Sequence, residues 1–145
     1  MKNLTLLLFI FLSSKLCAQI DTNLIYHKAE NIIKLIEGEK IDSLLINSTD
    51  SIRCIPCNEF GKNKYIPKKV FFSERMKGIF TSELISRLKR SKKMVVLQSS
   101  PYPAYVVFYE IFEKGEIAPQ HEGVSFGIWL RSDENLKFTA IETIP

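Results

Sequence analysis

The chain has 145 residues, 46% hydrophobic and 25% charged, with a formal net charge of +4. Apolar and charged fractions near the globular averages exclude a disordered tail, a collagen-like fibre and a multi-span membrane protein. The length excludes a large multidomain enzyme and sets the expectation of one domain, burying roughly two thirds of its unfolded surface around one core.

The first element is a leader. Met1-Lys2-Asn3 carries one positive charge, Leu4 to Leu12 is apolar except for Thr5, and Ser13 to Ala18 ends in a small residue. That is the order of a secretory signal peptide, too short to cross a bilayer as a stable helix, with cleavage expected after Ala18. The mature domain is then 19–145, exported to a periplasm or the extracellular space and not membrane-spanning. A lipoprotein reading of Cys17 meets Lys15 and Leu16 where small residues are needed. Without the leader the net charge is +2, and its layout is uneven. From Gln19 to Gly61 four basic residues stand against seven acidic, from Lys62 to Lys93 eleven against two, and from Met94 to Pro145 three against seven. A basic stretch between acidic flanks either steers an acidic partner or pairs internally with those flanks.

Ile25, Ala29, Ile32, Ile33 and Ile36 fall on one helical face, with Asp21 or Thr22 to cap its start and Gly38 at its end. Ile41, Leu44 and Leu45 predict a second, shorter helix packed back on the first. Asn47 to Ser51 has no apolar residue and reads as a loop. Ile52 to Phe72, interrupted by Pro56, Gly61 and Pro67, predicts one or two short strands. Met76, Ile79, Phe80, Leu84 and Leu88 predict a third helix from Ser73 to near Arg90, breakable at Thr81-Ser82 where a new cap can form. From there the period becomes that of strands. Met94–Gln98, Ala104–Phe112, Gly123–Arg131 and Leu136–Thr143 are rich in β-branched and aromatic residues, and Ser132 to Asn135 joins the last two as a hairpin.

This order, with Ala29 to Leu45 as opening helix, glycine-acid turn and second helix, and with Gly127 to Leu130 and Leu136 to Ile141 as a closing hairpin, resembles the nuclear transport factor 2-like (SnoaL-like) superfamily. The resemblance implies an α+β domain in which three N-terminal and central helices pack on a curved antiparallel sheet, leaving a cone-like pocket. It implies a pocket used by an isomerase, dehydratase or hydrolase, by a ligand, or not at all, and dimers through the sheet. A fold of this kind does not fix function. Catalytic members carry inward acid and base groups, commonly Asp and His, and no residue here matches such a dyad.

Among candidate site residues, Cys54 and Cys57 predict a local disulfide in an oxidising compartment. The helix-poor sequence after them argues against thiol–disulfide exchange, and His27 and His121 lack the spacing of a zinc pair with them, so no metal or other cofactor is expected. His27 stands beside the apolar face of the first helix and reads as partly buried and hydrogen-bonded, whereas His121 reads as a solvated loop residue. Within a cone pocket, His121 with Glu110 is the best acid–base pair. Arg87, Lys89, Arg90, Lys92 and Lys93 form a basic cluster suited to an acidic partner or envelope surface, although a helix end also favours cations. Nucleic acid is excluded by the small mature charge and the absence of a base-reading motif. Tyr102, Tyr105 and Tyr109 read as core or sheet residues, and Trp129, on the less apolar face of its strand, as a candidate for exposure at a ligand or dimer surface. Two functions follow as expectations: a small exported non-enzymatic domain binding a small ligand or a partner, or a pocket enzyme using an acid–base pair.

Overall fold

The computed structural model describes residues 21–57 and 65–145; the leader and Lys62 and Lys64 of the basic stretch lie outside them. Helix α1 (Thr22–Glu37) begins where the Asp21 carboxylate accepts the Asn23 N–H at 2.9 Å, and it buries the predicted stripe Ile25, Ala29, Ile32, Ile33 and Ile36. Gly38 ends the helix, its N–H on the Lys34 carbonyl, but the left-handed residue of the turn is the next one, Glu39 (φ 50°). Helix α2 (Ile41–Ile46) folds back and buries Leu44.

Ser48–Cys54 is a strand, β1, not a loop. Its two buried polar residues, Ser48 and Thr49, are internally satisfied, which removes the usual cost of burying them. The Ser48 hydroxyl donates to the Leu44 carbonyl at 2.6 Å, and the Thr49 hydroxyl donates to the Ser51 carbonyl at 2.8 Å and lies 3.0 Å from the Thr139 hydroxyl. β2 (Tyr65–Pro67) pairs antiparallel with β1.

The third helix is two. A continuous helical run, α3, joins Lys68–Val70, a π turn at Phe71–Arg75 and Met76–Ile79. It opens at Lys68, before the expected start at Ser73, because the π turn lets the adjacent Phe71 and Phe72 both reach the core. The chain breaks at the expected place: the Thr81 hydroxyl accepts the Leu84 N–H at 3.2 Å and starts α4 (Ser82–Arg90).

Strands β3 (Lys93–Gln98), β4 (Ala104–Phe112), β5 (Val124–Arg131) and β6 (Lys137–Ile144) form an antiparallel meander. The sheet order is β2-β1-β6-β5-β4-β3, and β1 runs parallel to β6, so the α+β sheet is mostly rather than wholly antiparallel. Val107, Tyr109, Ile111, Phe126, Ile128 and Leu130 alternate onto the face that meets the helices, where the core lies. On the opposite face, Ala104, Val106, Trp129 and Ala140 form a second small cluster with Tyr102.

The β4–β5 connection depends on Gly123 (φ 97°), where an added Cβ would sit 2.6 Å from the Phe112 carbonyl oxygen. Gly123→Ala therefore combines a left-handed backbone with a backbone clash, and is expected to lower unfolding free energy by about 1–3 kcal/mol in urea titrations.

Candidate functional site

The basic cluster is largely paired within the chain. Lys89 donates to both Glu37 oxygens at 2.6 and 2.7 Å, and Lys93 binds Glu30. Arg87 donates to Glu116 at 2.8 Å and to the Ile111 carbonyl at 2.9 Å, with its guanidinium 3.9 Å from the centre of the Phe112 ring. Lys92 lies 3.4 Å from Glu113 and 3.9 Å from Glu110, and Arg90 donates to the Ser86 carbonyl of its own helix. The acids come from both flanks, so the alternating charge layout of the sequence is realised as internal ion pairs. Being exposed or half-exposed, such pairs each contribute little to stability, and salt screens them.

Glu110 borders an open groove with Arg87, Lys92 and Glu113. His121 lies in the β4–β5 connection, where its Nδ1 accepts the Gly123 N–H at 3.0 Å and its carbonyl accepts the Gly115 N–H. His27 points the other way from expectation: its side chain is 80% exposed, 3.9 Å from Glu30. The burial stripe Ile25, Ala29, Ile32 leaves position 27 on the far side of α1. Trp129 also departs from expectation, being only 4% exposed. Its Nε1 donates to Glu142 at 2.9 Å, the Arg53 guanidinium stands 5.4 Å from its ring centre, and Tyr102 meets it edge-on at 6.1 Å. The chain covers Trp129 with its own side chains, leaving no free indole surface.

Cys54 and Cys57 form a disulfide that closes a four-residue loop next to β1. Loop-closure entropy for so short a ring amounts to about 2 kcal/mol. Replacing both cysteines with alanine is expected to lower stability by about that amount in denaturant titrations, with the far-UV circular dichroism of the folded protein unchanged. Among the described residues no cluster of histidine, cysteine, aspartate and glutamate could hold a metal ion. No helix among them is long and apolar enough to cross a membrane.

Two of the hollows lie between α1 and α4. The larger, about 540 Å³, is an open groove between the end of α1, α3 and α4; its charged groups pair across it, Lys77 with Glu39 and Lys89 with Glu37. The smaller, about 140 Å³, is a cleft between α1, α4 and the sheet. Ile33 and Leu88 line it with Tyr109 from β4, and Glu30, Lys34, Lys89 and Lys93 supply its charges. Tyr109 is 1% exposed, and its hydroxyl is the one buried side-chain polar atom without a hydrogen-bond partner among the described residues. Burial, with smaller contributions from Glu30 and Tyr26, pushes its ionisation well above the usual tyrosine range, so it is a neutral donor. The hydrogen bond from Lys93 holds the Glu30 carboxylate below the ordinary range. No ion pair to Lys34 forms among the described residues, which leaves the cleft with a surplus of one cation. The sequence carried a signal for Tyr109, since it alternates with Val107 and Ile111 on the buried face; what it lacked was any sign that the hydroxyl would go unmatched.

Glu116 is also held low, first by its hydrogen bond from Arg87 and then by the Glu113 N–H. Carboxylates with depressed ionisation stabilise the fold above their ordinary range and lose that contribution as pH falls through it. The melting temperature is expected to be flat from neutrality to about pH 5 and to fall below it, and Glu30→Gln to shrink that fall.

No protein-family model matches the chain, and no curated protein or solved structure matches it.

Proposed function

We propose that the protein is a small exported, non-enzymatic binding domain whose cleft at Tyr109 takes a compact organic acid. The reading rests on the Tyr109 hydroxyl, a buried donor with no partner at the floor of a cleft that has one cation in excess. Buried polar groups are almost always satisfied, and an orphan at a cleft is one a ligand can satisfy. The apolar walls Ile33 and Leu88 take the ligand's body, Tyr109 donates to an acceptor, and Lys34 meets the carboxylate. A cavity of roughly 150 Å³ holds a molecule the size of benzene, which sets the scale. The ionisable groups support binding over catalysis. Glu30 is held ionised by Lys93 and Tyr109 is held protonated, whereas a general acid or base works best with its pKa near the operating pH.

The cone-like, nuclear transport factor 2-like architecture belongs to the same proposal. It is supported by the element order and by a six-stranded sheet carrying its helices on one face, with the cleft between them. Export is supported by the leader and by the disulfide.

Benzoate serves as the probe. Its addition is expected to raise the melting temperature in proportion to the logarithm of its concentration once saturating, and Lys34→Gln to weaken that response about tenfold. No rise at about 10 mM benzoate, or an equal rise in Lys34→Gln, contradicts the proposal.

A further inference from the structure

The sheet has two outer edges, built differently. β2 is three residues long, ends in Pro67 and is followed by Lys68 and Lys69, the short, proline-bearing and charged construction that blocks strand addition. β3 has six residues, Lys93-Met94-Val95-Val96-Leu97-Gln98, with no proline and one charge, and Met94 and Leu97 are 58% and 64% exposed. The Glu110 N–H donates to the Lys92 carbonyl across the β3–β4 ladder, while the Lys93 carbonyl accepts from the Tyr26 hydroxyl on the other side. By the two-residue period, the backbone groups of Lys93, Val95 and Leu97 face outward, and no strand pairs with them among the described residues. Alongside this edge runs an open groove of about 540 Å³ between β3 and the first half of α1, lined by Ile25, Tyr26, Val95, Leu97 and Tyr105.

We infer that β3 pairs antiparallel with β3 of a second copy of this chain about a twofold axis, joining two six-stranded sheets into one. An incoming strand must present its outward backbone groups in register with those of Lys93, Val95 and Leu97, and it must carry apolar side chains at alternate positions toward Ile25 and Tyr26. β3 meets both requirements itself. Setting Val95 opposite Val95 of the second copy aligns the outward-facing residues of both strands and puts Lys93 opposite Leu97. No charge then faces a like charge, which matters because like charges directly opposite are destabilising. The second copy's Lys93 arrives beside Leu97 at the end of the groove bordered by Thr22, the residue after the Asp21 carboxylate. The pairing gives each copy a protected edge and covers the exposed Met94 and Leu97.

The register makes the test specific. Sedimentation equilibrium of the protein across the micromolar range is expected to show a monomer–dimer equilibrium. Leu97→Lys, at an exposed position, places two lysine pairs face to face and is expected to raise the dimer dissociation constant at least about tenfold. Leu97→Glu places glutamate opposite lysine and is expected to leave the dimer as tight or tighter. Val95→Pro removes an outward N–H without touching the β4 ladder and is expected to give a folded monomer by circular dichroism. A wild-type protein that is monomeric throughout overturns the inference, as it does if the chain preceding Asp21 covers the edge instead. A dimer that responds equally to Leu97→Lys and Leu97→Glu overturns it too, because some other surface then holds the copies together.

Discussion

Truncating Phe138 to alanine is expected to cost about 3–5 kcal/mol of unfolding free energy. Phe138 is fully buried on β6, with ring centres 6.2 Å from both Phe71 and Phe72, which themselves meet edge-on at 5.2 Å. It thus joins the sheet to the π turn of α3, and its backbone N–H also donates to the Asn47 carbonyl at the entry to β1. The surrounding residues come from β1, β6 and α3, elements fixed by their own hydrogen bonds, so the cavity cannot collapse cheaply. Urea titration of Phe138→Ala with an unchanged m-value is the expected outcome. A loss below about 1 kcal/mol would mean that α3 does not pack there.

Tyr109→Phe is expected to act in opposite directions on stability and binding. Removing a buried hydroxyl that has no partner relieves its desolvation cost, so the free protein is expected to gain about 1 kcal/mol. The same change deletes the donor at the floor of the cleft. A hydrogen bond to a charged ligand group contributes about 1.5–3 kcal/mol, so benzoate is expected to bind at least about tenfold more weakly. Few core substitutions stabilise the fold while abolishing a function, and that pattern separates a binding group from a packing group. Thermal unfolding of Tyr109→Phe with and without benzoate measures both effects. A marked destabilisation of the free variant would show that the hydroxyl is bonded in the folded state.

Much of the fold was legible where one period dominates. The Ile25, Ala29, Ile32, Ile36 stripe and the alternation of Val124, Phe126, Ile128 and Leu130 each translate directly into a buried face. The disulfide was legible from the spacing of Cys54 and Cys57. β1 was not, because Ser48, Thr49 and Asp50 look like a turn until their partners at Leu44 and Thr139 are supplied from elsewhere in the chain. Its parallel pairing with β6 bridges residues far apart in sequence, and no local pattern reports that. The π turn was illegible for a related reason: an extra residue per turn shifts the helical period in mid-helix, so Phe71 and Phe72 fit neither a helix nor a strand template.

The site was less legible than the fold. The basic cluster was visible as composition, but whether Lys89 and Lys93 face outward or bind Glu37 and Glu30 depends on how α1 and α4 pack. A difference of two residues along α1 likewise carries a side chain from the core face at Ile25 to solvent at His27. The Tyr109 cleft exists only because α1, α4 and β4 leave a gap between them, and a gap has no sequence signature.

Nuclear magnetic resonance of the tyrosine side chains during a benzoate titration tests whether the Tyr109 hydroxyl is a ligand donor. The Tyr109 ring resonances are expected to shift and saturate with the same dissociation constant as the side-chain resonance of Lys34, while those of Tyr65, outside the cleft, stay in place. Benzoate that leaves Tyr109 unshifted, or that shifts Lys34 equally in Tyr109→Phe, would contradict that role.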